Sequence, residues 1–177
     1  MTKNNKKGFT IIEVVLVLAI AGLIFLMVFI ALPALQRSQR NTRRRQDMAR
    51  ILSAFNDYQA NNNGKMPEST AKANGDFMTR YIGEANSDQV TDPDGTGYSF
   101  IWASVLTADA TVKQKGSSDT ESTSLTSGTG YLDYHHIGYL RNAKCGTEGE
   151  AKKANGEREI AIYYLLEGGA IYCGDNQ

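Results

Sequence analysis

Lys6-Lys7-Gly8-Phe9-Thr10-Ile11-Ile12-Glu13 is the stretch of this 177-residue chain that decides how the rest is read. An apolar run starts at this junction, and from Val14 to Leu35 no residue is charged, a span of 22 positions. About 20 apolar residues in a helix cross the hydrocarbon layer of a bilayer, so the run is long enough to span one. A basic leader with Lys3, Lys6 and Lys7 precedes it, and Glu13 is the only acid near its start. A carboxylate at the edge of a membrane span is expensive to bury and marks a functional position by default.

Two plainer readings compete. Ala19-Ile20-Ala21 followed by Gly22 fits the small-x-small cleavage pattern of a secretory signal peptide. A cut there would fall inside the apolar run and leave Leu23 to Leu35 as a greasy tail, whereas such sites normally follow the apolar core. A plain anchor is the other, since a charge near the interface costs much less than one at the midplane. It accommodates Glu13 but gives no reason for Gly8-Phe9.

Net charge is zero but unevenly placed. Residues 1–50 carry nine Lys/Arg against two Asp/Glu, or +7, and residues 51–177 carry ten against seventeen, or −7. An acidic distal part is a poor generic nucleic-acid binder, because phosphate contacts need Lys and Arg. Beyond the membrane helix, enough chain is left for one small domain. The two cysteines, Cys145 and Cys173, lie in the last third. Behind a membrane-targeting segment an even count points to one disulfide, with two unpaired thiols as the alternative. Two Cys and the adjacent His135-His136 lack the paired spacing of a zinc site.

Beyond the span, Pro33 is a candidate kink, because it lacks an N–H and clashes with the preceding turn. Gln36 to Asp47 has no large apolar residue and includes Arg37, Arg40, Arg43, Arg44 and Arg45. Helical spacing returns at Met48, Ile51, Leu52, Phe55 and Tyr58, one face of which can pack on a globular head. The helix is expected to end at Asn61-Asn62-Asn63-Gly64, before Pro67, giving a rod of roughly 78 Å. A short helix is expected around Asp76 to Ile82, and Thr91-Asp92-Pro93-Asp94-Gly95-Thr96-Gly97 is turn chemistry. Tyr98 to Leu106 and Tyr134 to Leu140 read as strands, the first with Tyr98, Phe100 and Trp102 on one face. Thr107 to Gly130 is Ser/Thr/Gly-rich and reads as a long surface loop. Gly146 to Gly156 is a second polar stretch. Arg158 to Glu167 alternates and turns at Gly168-Gly169 into Ala170-Ile171-Tyr172-Cys173, a hairpin with a tight two-residue connection. Three or four antiparallel strands on the second half of the helix make the simplest core.

The order of charged leader, Gly8-Phe9, lone Glu13 and apolar helix resembles the prepilin signal of the type IV pilin family. Asn62-Asn63-Gly64-Lys65-Met66-Pro67 is similar to the end of the long helix in many pilins. Asp92-Pro93-Asp94-Gly95 and the tail Tyr172-Cys173-Gly174-Asp175 also look pilin-like. The resemblance implies an α+β ladle: a long N-terminal helix, transmembrane in its first half, on a small antiparallel sheet, stapled by Cys145–Cys173. Its implied parts are a leader at 1–8, a membrane or filament-core helix at 9–35, an amphipathic half-helix at 36–63 and a head at 64–177. A prepilin peptidase would cut between Gly8 and Phe9, leaving 169 residues, and N-methylate Phe9. An assembly ATPase and platform would add subunits to a homopolymer. The chain would be single-pass in the inner membrane first and extracellular in the filament afterwards.

Glu13 would then be position five of the mature chain (13 − 8 = 5). In a dry core of bundled helices an isolated carboxylate is costly, and the amine freed at Phe9 of a neighbour can neutralise it. The chain departs mildly from the family with Ile11, where Leu is commoner, and with Pro33, which falls later than usual. Gly22 and Pro33 bracket a segment expected to loosen on assembly, from their low helix propensity. Five Arg beyond the span oppose the positive-inside tendency of the leader. They are expected on a solvated face, against lipid head groups or against acidic neighbours, with DNA as a weaker reading.

Asp92 and Asp94 are weak calcium candidates, since the EF-hand's bidentate Glu is missing and a turn explains them. His135-His136 and the tyrosines Tyr131, Tyr134, Tyr139, Tyr163, Tyr164 and Tyr172 read as sheet residues. No nucleophile–base set, phosphate loop or carboxylate dyad is present, so neither catalysis nor a cofactor is expected. The reading is a structural pilus subunit supporting adhesion or motility. Its alternatives are a minor tip pilin that binds a surface or DNA, and a type II secretion pseudopilin.

Overall fold

The computed structural model describes residues 8–67, 77–82, 90–121, 124–156 and 158–177. The chain divides into two units, Met1–Gln39 and Arg40–Gln177. One helix, α1 (Ile11–Asn61), contributes to both. Its first part is apolar on every side, and large side chains from Ile11 to Leu35 stay exposed. It passes through Gly22 and Pro33 without interruption. Its end is built as the sequence predicts. Asn63 and Gly64 take positive φ (57° and 79°), and the Gly64 N–H donates to the Gln59 carbonyl at 2.9 Å. That six-to-one bond closes the last turn, and glycine meets its left-handed requirement without strain.

Among the described residues the head holds eight strands: β1 (Ser99–Val105), β2 (Ala110–Gln114), β3 (Gly128–Leu132), β4 (His136–Arg141), β5 (Ala143–Cys145), β6 (Glu150–Lys153), β7 (Ile160–Leu165) and β8 (Ile171–Asp175). They form two four-stranded sheets, ordered β1-β4-β7-β8 and β3-β2-β6-β5. Each sheet contains one parallel pair, β1 with β4 and β2 with β3. The remaining pairs are antiparallel. The α+β class holds, but the expected single small sheet is corrected to two mixed ones.

The reason is visible in β7, Ile160-Ala161-Ile162-Tyr163-Tyr164-Leu165, which is buried at all six positions. Ile160, Ile162 and Tyr164 pack with Met48, Ile51 and Phe55 of α1. Ala161, Tyr163 and Leu165 pack with Val112, Leu132 and Ala151 of the second sheet. A strand covered on both faces carries no polar alternation, and this one is apolar throughout. The helix, first sheet and second sheet of the head therefore enclose two cores. Phe55 anchors the first, stacked between Phe77 (4.2 Å) and Tyr139 (4.5 Å). Offset aromatic contacts of this kind add to area burial.

The second sheet comes from the polar stretches. Thr107 to Gly130, expected as a loop, contains β2 and the start of β3, and Val112 and Leu125 are buried. Gly146 to Gly156 contains β6. A few apolar residues suffice because they close against Leu140 of β4 and Ala161, Tyr163 and Leu165 of β7, which line the opposing face. The hairpin connection is also corrected. The Leu166 N–H donates to the Ala170 carbonyl at 2.9 Å, so three residues, Glu167-Gly168-Gly169, make the turn. Of the helix expected around Asp76 to Ile82, Met78–Ile82 forms a π-helical turn, and Asp76 lies outside the described residues. The side chain of Trp102 also lies outside them.

Candidate functional site

Gly8 is the first described residue, and Phe9 after it is 90% exposed. Helix α1 begins with a reciprocal cap. The Thr10 N–H and hydroxyl donate to Glu13 Oε2 at 2.8 and 2.9 Å, and the Glu13 N–H donates to Thr10 Oγ1 at 3.4 Å. This is a capping box, Thr-x-x-Glu, in which the two side chains satisfy amides that have no intrahelical partner. The Thr10-x-x-Glu13 spacing is the sequence signal of this cap. Thr10 is thus a site residue that the sequence reading passed over.

A second constellation ties α1 to the head through side chains the sequence places far apart. Arg44 is 3% exposed. Its Nε and Nη2 donate to Asp92 Oδ2 and Oδ1 at 2.7 and 2.8 Å. Its Nη1 donates to Glu167 Oε1 at 2.6 Å and to Asn41 Oδ1 at 3.3 Å. One turn earlier, Arg40 grips both oxygens of Glu167 at 2.7 and 2.8 Å. Asn41 brackets the Glu167 backbone, with Nδ2 donating to its carbonyl at 3.1 Å and Oδ1 accepting its N–H at 3.0 Å. Such two-pronged Arg–carboxylate pairs are short and directional.

Asp92 also accepts from the Tyr164 hydroxyl at 2.7 Å and from the Asp94 N–H at 3.1 Å. Burial alone would raise its pKa, but the Arg44 and Tyr164 hydrogen bonds outweigh burial and hold it at about 2. Hydrogen bonds from Arg40, with further help from Arg44, hold Glu167 at about 2. The Arg44 guanidinium is pushed well above its ordinary range, chiefly by Asp92. Nearby Asp47 accepts from the Tyr98 hydroxyl at 3.1 Å, and burial pushes its carboxyl up.

The arginine cluster is therefore not one solvated face. Arg40 and Arg44 face inward and bind the head, while Arg43, Arg45 and Arg50 are exposed. Asp92 and Asp94 lie beside this clamp. They form the expected turn, with the Gly95 N–H donating to the Asp92 carbonyl at 2.8 Å. With His135 they are close enough to share an ion. But both Asp92 oxygens already accept from a guanidinium, and a divalent cation there would meet that fixed positive charge. Asp94 Oδ1 takes the Thr96 N–H and hydroxyl, and His135 Nδ1 also meets the Thr96 hydroxyl. His136 Nδ1 pairs with Glu121, which ties the polar segment before β3 back to β4.

Cys145 in β5 and Cys173 in β8 are joined, with Cα atoms 5.8 Å apart. The bond links the two sheets, and beside it the Cys145 N–H donates to Asp175 Oδ2 at 2.8 Å. Tyr139, Tyr163 and Tyr164 are fully buried core residues, Tyr134 is exposed, and Tyr131 and Tyr172 lie between.

Residues 3–29 match the model of the prokaryotic N-terminal methylation motif, the class III signal peptide of type IV pilins. No curated protein matches the chain. No solved structure matches it either.

Proposed function

We propose that this type IV pilin-like precursor is a structural subunit of a type IV pilus. The prepilin peptidase cuts it between Gly8 and Phe9 and methylates the new Phe9 amine. The observation that carries the reading is the single helix α1, with the methylation motif and a bare apolar surface at one end and the head's own core at the other. An apolar stretch of this length needs a cover, either lipid or other apolar helices. In the membrane lipid covers it, and in a filament the same stretch of neighbouring subunits does. Glu13 then pairs with the freed amine of a neighbour, so only cleaved subunits dock well. Gly22 and Pro33 mark the segment that loosens on assembly. The clamp at Arg44 supports a mechanical role, because it binds α1 to the sheet by charge-assisted hydrogen bonds as well as by apolar packing.

The test is mass spectrometry of sheared surface filaments. A bulk protein starting at methylated Phe9 is the expected result. Phe9 termini found only in membranes, or in trace amounts on filaments, would favour a minor tip pilin or a pseudopilin instead. An intact Met1 terminus would overturn processing altogether.

A further inference from the structure

The outer face of α1 within the head unit is unlike the face that binds Asp92 and Glu167. Arg43, Gln46, Arg50, Ser53 and Asp57 recur three and four apart and are all exposed. Residues at this spacing share one stripe along a helix. Among the described residues, Arg43, Arg50 and Asp57 join no hydrogen bond or salt bridge, although Arg43 and Arg50 act on buried Asp47 through space. The stripe is positive at one end and negative at the other. Once Asp92 and Glu167 are set aside as partners of Arg44 and Arg40, residues 51–177 still carry ten Lys/Arg against fifteen Asp/Glu. Positive charge without an internal partner therefore sits on the helix, and negative charge in excess lies beyond it.

We propose that this stripe docks on the same stripe of a second copy of the chain, with the helices parallel and staggered so that Asp57 of one meets Arg43 of the other. The proposal rests on the filament-subunit reading above. Parallel alignment follows because both copies enter the same membrane by the same end of α1. In-register pairing would set Arg43 on Arg43 and Asp57 on Asp57, which like-charge repulsion disfavours. A stagger of seven residues sets Asp57 on Arg50 but also Arg50 on Arg43, so repulsion offsets its one attractive contact. A stagger of fourteen, roughly 21 Å of helix, sets Asp57 on Arg43 and Arg50 on uncharged Gln36. Ser53 and the exposed Ala49 and Ala60 leave room for close approach. The contact is head-to-tail, so each copy keeps one unused end, and repetition extends the array instead of closing it.

The test co-expresses full-length Arg43→Cys and Asp57→Cys chains, oxidises the membranes, and reads covalent dimer on a non-reducing gel. The expected result is several-fold more dimer than from an Arg45→Cys and Asp57→Cys pair. In parallel, Arg43→Asp and Asp57→Arg should each lower sheared-filament yield several-fold, and the double exchange should restore it. Retention of the Cys145–Cys173 bond reports that each variant folds. No dimer enrichment, or a folded double exchange no better than the single ones, overturns the docking. The dimer readout needs no filament. If the wild-type chain forms no filament but the Arg43→Cys and Asp57→Cys pair cross-links, the docking stands and only the pilus reading falls; if neither filament nor cross-link forms, both fall.

Discussion

Arg44 and Asp92 lie 48 positions apart in sequence and form a two-bond ion pair, Nε–Oδ2 at 2.7 Å and Nη2–Oδ1 at 2.8 Å, with both side chains almost wholly out of water. A pair this deep is more a device for specificity than a source of net stability, because desolvation offsets much of its attraction. Its geometry fixes both the rotation and the height of α1 against the sheet, with Glu167 adding a second anchor one hairpin away.

Removing one partner is a different matter from lacking both. Arg44→Met strands the Asp92 carboxylate in the core and is expected to cost roughly 3–5 kcal/mol. Arg44→Met combined with Asp92→Asn should recover much of that loss. Urea unfolding of the full chain in detergent, followed by near-UV absorbance of the tyrosines, measures both.

The same cluster sets a pH window. Asp92 and Glu167 have folded pKa values of about 2, below their ordinary 3.8 and 4.5. A depressed carboxylate contributes stability that is complete above its unfolded pKa and is lost as pH falls through the folded one. Stability of the head should be flat above about pH 5 and decline between about pH 4.5 and 2. Asp92→Asn, although less stable, should show a shallower decline over that window. Denaturation midpoints across the pH series check this, and an equal slope in the variant would refute it.

The Cys145–Cys173 bond closes a separation of 28 residues. In the chain-entropy model that contributes about 3–4 kcal/mol. Because it also joins the two sheets, reduction should loosen β5 and β8 before the α1 side of the head. Hydrogen exchange under reducing conditions should show early loss of protection at Lys144 and Tyr172, with Ile51 and Phe55 holding longer.

Glu13 has two roles that substitution can separate. Glu13→Gln keeps a side chain able to complete the Thr10 capping box but removes the charge. The expected outcome is a normally inserted and processed chain with few filaments. Thr10→Val removes the cap's hydroxyl and keeps the charge, at a cost near 1 kcal/mol to the helix start. It should frustrate assembly far less than Glu13→Gln does. Equal filament yields from wild type and Glu13→Gln would show that the charge is dispensable.

Much of the architecture was open to reading along the chain. The apolar run, the end of α1 at Asn61, the strands at 99–105, 136–141, 160–165 and 171–175, and the pairing of the two cysteines are local or compositional signals. Periodicity, turn residues and cysteine count report such features because each is decided within a few residues. The second sheet escaped because β2 and β6 hold few apolar side chains, and their burial depends on the far face of β4 and β7. The parallel pairing of β2 with β3 escaped for a similar reason, as no hairpin turn announces it.

By itself, then, the order of residues determined where the long apolar run lies, where its helix stops and which segments pair as a hairpin. Only the tertiary structure decided which arginines are structural. Arg40, Arg43, Arg44 and Arg45 are alike in type and adjacent in sequence. Two of them, Arg44 buried and Arg40 half-exposed, become ion-pair partners of the head because Asp92, in a turn, and Glu167, in a hairpin loop, are delivered to one side of α1 by the sheet. A charge's role depends on what is folded next to it, since the same guanidinium is a hydrated surface group in water and a directional lock opposite a desolvated carboxylate.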